Sequence, residues 1–123
     1  MYVLRDKKSV VAFDVDDTLI MWDKVSDNMV TVTLPGEDGF TETFAVHTSH
    51  VQMLKDFKKT CRYTVVVWSQ SGHDWAEAVV RALDLEDHVD LVMSKPSRHV
   101  DDLTSNHWLG QHIYKEYKGD KVV

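Results

Sequence analysis

The segment Ser9-Val-Val-Ala-Phe-Asp-Val-Asp-Asp-Thr-Leu19 decides the fold. Its first five residues form a compact run of strand formers, and an acidic cluster at Asp14, Asp16 and Asp17 follows at once. Such a run is typical of a buried parallel strand, because strands of this class lack polar alternation. We therefore predict a first strand that leads directly into an acidic loop.

Two further segments have strand-like patterns of different kinds. Residues 30–46 alternate apolar residues with threonines on either side of the turn-forming sequence Pro35 to Gly39, which predicts a β-hairpin. The segment from Arg62 to Trp68 is an unbroken row of β-branched and aromatic residues. This pattern indicates the central strand of a sheet, covered on both faces.

Helical patterns separate these strands. Thr48 can cap a helix of about eleven residues whose apolar positions recur at helical spacing. Ser71 and Asp74 form a capping-box-like start for a second helix that runs to about Asp84, and a short strand over residues 89–93 follows. Strands and helices that alternate with short connections predict an α/β fold with a parallel sheet and right-handed crossovers.

Length and composition favour one domain, residues 1–123. The chain has a mass of 14.2 kDa, with 43% hydrophobic and 28% charged residues, which excludes a disordered or fibrous protein. Its formal net charge of −6 argues against a nucleic-acid partner.

Targeting features are also informative. The longest apolar runs are far shorter than the roughly 20 residues of a membrane-spanning helix, so we expect no membrane partner. The one cysteine, Cys61, has no internal disulfide partner, and the N-terminal residues lack a signal-peptide core. These features predict a cytoplasmic protein.

The acidic loop carries the strongest chemical signal. Asp14 and Asp16 are two residues apart at the end of a predicted strand, so their side chains point the same way if the backbone stays extended. Two carboxylates so close repel each other unless a divalent cation lies between them or one holds a proton. Both conditions are useful in phosphoryl transfer.

The sequence resembles the haloacid dehalogenase superfamily, which has four short motifs in chain order across a Rossmann-like sheet. The first motif, Asp-x-Asp-x-Thr after an apolar strand, is matched here, and single residues or pairs match the other three. The matching residues are Asp14, Asp16 and Thr18 for the first motif, Ser69 for the second, Lys95 for the third, and Asp101 with Asp102 for the fourth.

The resemblance implies a role for each of these residues. Asp14 is the nucleophile that takes the phosphoryl group, and Asp16 is the general acid and then the base. The cofactor is Mg²⁺, held by the Asp14 carboxylate, the backbone carbonyl of Asp16 and one of Asp101 or Asp102. Thr18 and Ser69 would bind the transferring oxygens of the substrate, while Lys95 offsets their charge.

The resemblance also implies an architecture. Both places where the family inserts a large cap are short, so the chain looks like a compact capless member, similar to those found in phage and bacteria. We expect a three-layer Rossmann-like fold with a hairpin flap over residues 30–46. One departure concerns the third motif: only residues 96–100 separate Lys95 from Asp101, and Arg98 is an alternative cation.

The predicted function is a Mg²⁺-dependent phosphomonoesterase that acts through an aspartyl-phosphate on a small phosphorylated substrate, such as a nucleotide or a sugar phosphate. Two alternatives stay open, a polynucleotide 3′-phosphatase and a non-catalytic binding module with the same fold. Trp22 and Trp75 flank the first two motifs, and we expect them either to pack or to stack on the substrate.

Overall fold

The computed structural model describes residues 9–22, 29–36 and 38–119. The strands are β1 (Ser9–Asp14), β2 (Ile20–Met21), β3 (Thr31–Pro35), β4 (Thr41–Val46), β5 (Tyr63–Ser69) and β6 (Leu91–Ser94). The helices are α1 (Thr48–Lys59), α2 (His73–Ala82) and the single turn α3 (Ser105–Trp108). A 3₁₀ turn, Glu86–His88, precedes β6.

Three strands form a parallel sheet in the order β1-β5-β6. Asp14 pairs with Trp68 in register, and Ser69 pairs with Ser94, so the carboxyl ends of all three strands meet at one edge. The predicted central position of β5 is confirmed. Its three consecutive valines, residues 65–67, are all buried, because this strand has a neighbour on each side and side chains packed on both faces.

Both longer helices pack against one face of this sheet. Phe13, Val65 and Val67 on that face join one buried cluster with Leu54 of α1 and Val79 of α2. The opposite face is less covered towards its edge strands, where Val10 is 64% and Leu91 is 49% exposed. The core of the described chain therefore lies between the parallel sheet and its two helices.

The predicted hairpin is confirmed as β3 and β4, which form a second, antiparallel sheet in the order β2-β4-β3. The two-residue strand β2 was not predicted, and it pairs Ile20 with Val46. Leu34 and Phe44 are each 2% exposed and belong to the main core cluster. The hairpin is thus anchored in the core; residue 37 of its predicted turn lies outside the described residues.

The helix starts differ from the predictions. The cap of α1 is His47 rather than Thr48, since the His47 side chain accepts a hydrogen bond from the backbone N–H of His50. The cap of α2 is Gly72, which makes no side-chain capping bond, so the capping box proposed at Ser71 is wrong. Gly72 has a φ of 105°, a conformation that favours glycine because it has no Cβ.

The C-terminal segment has little regular structure after α3. Residues 109–119 form neither helix nor strand, and most of their side chains are exposed. Within the described ranges no helix has the length and apolarity needed to span a membrane. The α/β architecture is confirmed, with a small parallel sheet, flanking helices, a separate hairpin sheet and no large cap domain in the described part of the chain.

Candidate active site

The acidic loop reverses the chain tightly at the carboxyl edge of the sheet. Val15 is fully buried, and its carbonyl accepts a hydrogen bond from the backbone N–H of Leu19 at 2.9 Å. Asp17 has a φ of 59°, in the left-handed region that aspartate tolerates better than most residues. Its N–H donates to the carbonyl of Ile20 at 2.7 Å. This turn keeps Asp14 and Asp16 at the edge of the sheet.

The Asp14 carboxylate contacts two of the predicted site residues. The Lys95 Nζ lies 3.5 Å from its Oδ1, and the Thr18 hydroxyl donates to its Oδ2 at 3.3 Å. The side chain of Asp14 is about one-third exposed, so it is accessible to a ligand. The structure therefore brings Asp14, Thr18 and Lys95 together, whereas Arg98, the alternative cation, is exposed.

Lys95 reaches this site because of the sheet. Its backbone N–H donates to the carbonyl of Ser69 at 2.9 Å, which continues the β5–β6 pairing one residue beyond β6. Ser69 is itself fully buried, and its Oγ accepts a hydrogen bond from the N–H of Ser71 at 2.9 Å. That bond does not use the hydroxyl hydrogen of Ser69. The second and third motifs are thus adjacent at the ends of neighbouring strands.

The Asp16 carboxylate has different partners. The indole Nε1 of Trp22 donates to its Oδ1 at 2.9 Å, and the Nε1 of Trp75 donates to the same oxygen at 3.0 Å. The Oγ of Ser71 lies 3.5 Å from Oδ2, at the limit of a hydrogen bond. The two predicted carboxylates therefore lie in distinct surroundings, one beside a cation and the other beside two neutral donors.

Asp101 and Asp102 lie on the exposed segment between β6 and α3. The backbone N–H of Leu103 donates to Asp101 Oδ1 at 2.9 Å, and this hydrogen bond is the main cause that lowers the pKa of Asp101. Across residues 9–22, 29–36 and 38–119, no three His, Cys, Asp or Glu side chains form a group suited to a metal ion. The structure does not bring the fourth motif into a three-carboxylate cluster with Asp14 and Asp16, so its metal-binding role stays a prediction.

Two buried histidines, His47 and His50, connect the acidic loop to the C-terminal segment. The sequence did not predict this role. The Nδ1 of His50 lies 2.7 Å from the carbonyl of Thr18, and its Nε2 accepts from the backbone N–H of Lys115 at 2.9 Å. The Nε2 of His47 lies 2.6 Å from the carbonyl of the same Lys115. Because a carbonyl can only accept, His50 carries its proton on Nδ1 and His47 carries its proton on Nε2.

Because Nε2 of His50 accepts a hydrogen bond, this member of the pair makes its contacts as a neutral imidazole. The rings stack with centroids 3.6 Å apart, and both side chains are buried. Burial is the main cause that lowers the pKa of His50; the hydrogen bond to the Thr18 carbonyl opposes this effect, while electrostatic interactions with His47 and Lys115 add to it. The two histidines thus connect the acidic loop, the start of α1 and the C-terminal segment.

Comparison with known proteins agrees with this geometry. The model of the NLI interacting factor-like phosphatase family matches residues 9–110, which include the acidic loop, β5, Lys95 and the Asp101–Asp102 pair. The chain belongs to the NLI interacting factor-like phosphatase family. Searches of curated proteins and of solved structures gave no match.

Membership of the NLI interacting factor-like phosphatase family confirms the predicted reaction class. The family is phosphatase-like and of the haloacid dehalogenase type, so the chain is a phosphatase hydrolase of that superfamily with a phosphorylated substrate. The matched segment spans the described sheet and both longer helices. The resemblance inferred from the four motifs is therefore confirmed at the level of the family.

Proposed function

We propose that this chain is a Mg²⁺-dependent phosphomonoesterase in which Asp14 is the nucleophile and Asp16 the general acid, acting on a small phosphate ester such as a nucleotide or a sugar phosphate. The observation that carries the proposal is the surroundings of Asp14. Its carboxylate ends β1 at the edge where open α/β sheets bind ligands, one-third exposed and 3.5 Å from a lysine ammonium.

An anionic substrate must approach the Asp14 carboxylate, and Lys95 supplies a positive charge that compensates the repulsion between them. A phosphate ester is itself anionic, so it is repelled by an isolated carboxylate. An ammonium on the same edge of the sheet offsets that repulsion and stabilises the charge that develops on the transferring oxygens. Thr18 holds the other carboxylate oxygen, which fixes the direction of attack.

The reaction then proceeds in two steps. An oxygen of Asp14 forms a bond to phosphorus while the ester P–O bond breaks, and Asp16 gives its proton to the leaving oxygen. A water molecule next attacks the aspartyl-phosphate, Asp16 accepts a proton from that water, and the bond between Asp14 and phosphorus breaks to release inorganic phosphate. Asp14 is regenerated as a carboxylate and Asp16 as an acid.

The donor chemistry of the acidic loop fits Mg²⁺. This ion prefers oxygen ligands and keeps several waters, so one or two protein carboxylates are enough to hold it. The Asp14 carboxylate and the Asp16 carbonyl would hold it, with Asp101 or Asp102 as a further ligand. When bound, the ion neutralises charge on the phosphate oxygens.

The experiment is phosphate release from mononucleotides, sugar phosphates and a 3′-phosphorylated oligonucleotide, with Mg²⁺ or EDTA. We expect Mg²⁺-dependent release that Asp14→Asn abolishes, because the amide is nearly isosteric but cannot attack phosphorus. The matched control is Asp17→Asn. Asparagine also tolerates the positive φ of that position and can accept the backbone N–H of Trp22, so this variant keeps its activity.

Each outcome is decisive for one part of the proposal. Activity of Asp14→Asn near that of the unmodified chain would refute the nucleophile. Equal rates with Mg²⁺ and EDTA would refute the metal dependence. A clear preference for the oligonucleotide would replace the small ester with a polynucleotide end as substrate.

A further inference from the structure

The carboxylate of Asp16 is held by two indole groups that are far apart in the sequence. Trp22 follows β2 and Trp75 lies in α2, yet both Nε1 atoms lie within 3.0 Å of the same oxygen, Oδ1. An indole N–H donates and never accepts. Two such donors therefore occupy both lone-pair directions of Oδ1.

This arrangement fixes the position of the proton on Asp16. Because Oδ1 accepts two hydrogen bonds, the acid form of the residue must carry its proton on Oδ2. The neighbour of Oδ2 is Ser71 Oγ at 3.5 Å, a contact too long to compete strongly for that proton. We propose that Trp22 and Trp75 are positioning residues that reserve Oδ2 of Asp16 for proton transfer to the leaving group.

The rings are themselves held in place by the hairpin. Phe44 of β4 is 2% exposed and contacts both of them, with ring centroids 4.7 Å from Trp22 and 6.0 Å from Trp75, both edge to face. Edge-to-face contacts of this kind favour one ring orientation over others. The hairpin thus orients two donors through one buried ring, and they in turn orient Asp16.

The inference rests on the proposed function, since it presumes that Asp16 is the general acid. When the P–O bond of the ester breaks, its electron pair goes to the leaving oxygen, which takes the proton from Oδ2. The carboxylate that results can then accept a proton from the attacking water through the same oxygen. The two indoles keep their hydrogen bonds to Oδ1 throughout both steps.

The test compares substrates that differ in their need for an acid. Alkyl phosphates release a strongly basic alkoxide and need the proton, whereas 2,4-dinitrophenyl phosphate releases a stable phenolate and does not. We compare kcat/KM, which covers the steps up to release of the leaving group and leaves out the hydrolysis of the aspartyl-phosphate that both esters share. We expect Trp75→Phe and Trp22→Phe each to lower kcat/KM on an alkyl phosphate about fivefold, the effect of one hydrogen bond. On the dinitrophenyl ester both variants should keep kcat/KM within about twofold, since general acid catalysis contributes little there.

Trp108→Phe is the matched control, because Trp108 is 45% exposed and its ring packs against His99. It should leave both substrates unaffected. Trp22 is 39% exposed, so Trp22→Phe retains the fold and carries the test if Trp75→Phe does not fold. Equal losses on the two substrates, or no loss on the alkyl phosphate, would overturn the inference.

Asp16→Asn separates this inference from the proposed function. If Asp16→Asn loses activity selectively on the alkyl phosphate but the tryptophan variants do not, only the positioning role fails. If Asp16→Asn lowers kcat/KM equally on both esters, the general-acid assignment itself fails. Selective losses in all three variants would establish both.

Discussion

Leu34→Ala tests whether the hairpin is part of the core or a flap that opens. Leu34 lies on β3, is 2% exposed, and belongs to the same buried cluster as Val65 and Val79. Truncation at such a position removes the transfer free energy of the lost atoms and leaves a cavity, and the two effects together cost about 2–5 kcal/mol.

The expected change in melting temperature follows from the length of the chain. For 123 residues, the entropy of unfolding is about 0.26 kcal/mol/K, so each kcal/mol corresponds to about 4 °C. Leu34→Ala should therefore lower the melting temperature by roughly 8–20 °C. Native domains typically have a free energy of unfolding of about 5–15 kcal/mol, so most of the predicted loss leaves a folded protein that can be measured. If the alanine variant is unfolded, Leu34→Val provides a smaller truncation.

The assay is thermal and urea unfolding, both followed by circular dichroism, with Thr31→Ala as the control. Thr31 is on the same strand but exposed, and surface substitutions usually change stability by no more than about 0.5 kcal/mol. A loss below about 0.5 kcal/mol for Leu34→Ala, indistinguishable from the control, would refute the reasoning. The hairpin would then behave as a flap whose inner face is not part of the stable core.

Two further predictions concern the buried His50 and the partly exposed Asp90. Because the pKa of His50 is lower in the folded chain than its usual 6.5, the unfolded chain takes up the proton first. Stability should fall as the pH drops from about 7 and should fall less in His50→Gln; equal pH profiles in urea unfolding would contradict this. Asp90→Ala should cost about 1–3 kcal/mol, because Oδ2 of Asp90 accepts the backbone N–H of Val65 at 2.8 Å. Lys58→Ala removes only the partly exposed ion pair to Asp90 and should cost under about 1 kcal/mol; equal costs in a urea melt would show that the ion pair dominates.

The parts of the fold that sequence reasoning predicted well are those with a strong local pattern. The apolar run before Asp14 and the β-branched row before Ser69 each occupy a strand in the structure, and the hairpin lies where alternation and turn residues indicated it. The carboxyl ends of all strands lie at the same edge of a parallel sheet. The sequence alone therefore favours a short distance between Asp14 and Lys95, which the structure shows.

The parts that were missed depend on contacts between distant residues. The indole of Trp75 bonds to Asp16, 59 residues earlier, and His50 bonds to Lys115, 65 residues later. No periodicity or spacing encodes such pairs. The start of α1 was misplaced for a related reason, since histidine is not among the residues that usually cap helices, and His47 does so in a buried site.

The hydrogen bonds from His47 and His50 to the backbone of Lys115 affect which substitutions the sequence can accept during evolution. The two histidines contact Lys115 through its backbone, His50 at the N–H and His47 at the carbonyl. Any side chain at position 115 that leaves the backbone path unchanged therefore preserves both hydrogen bonds. Proline alone is excluded there, because it has no N–H to donate. Selection would then act on positions 47 and 50 and leave almost no trace at position 115, so a contact that closes the fold can escape comparison of related sequences.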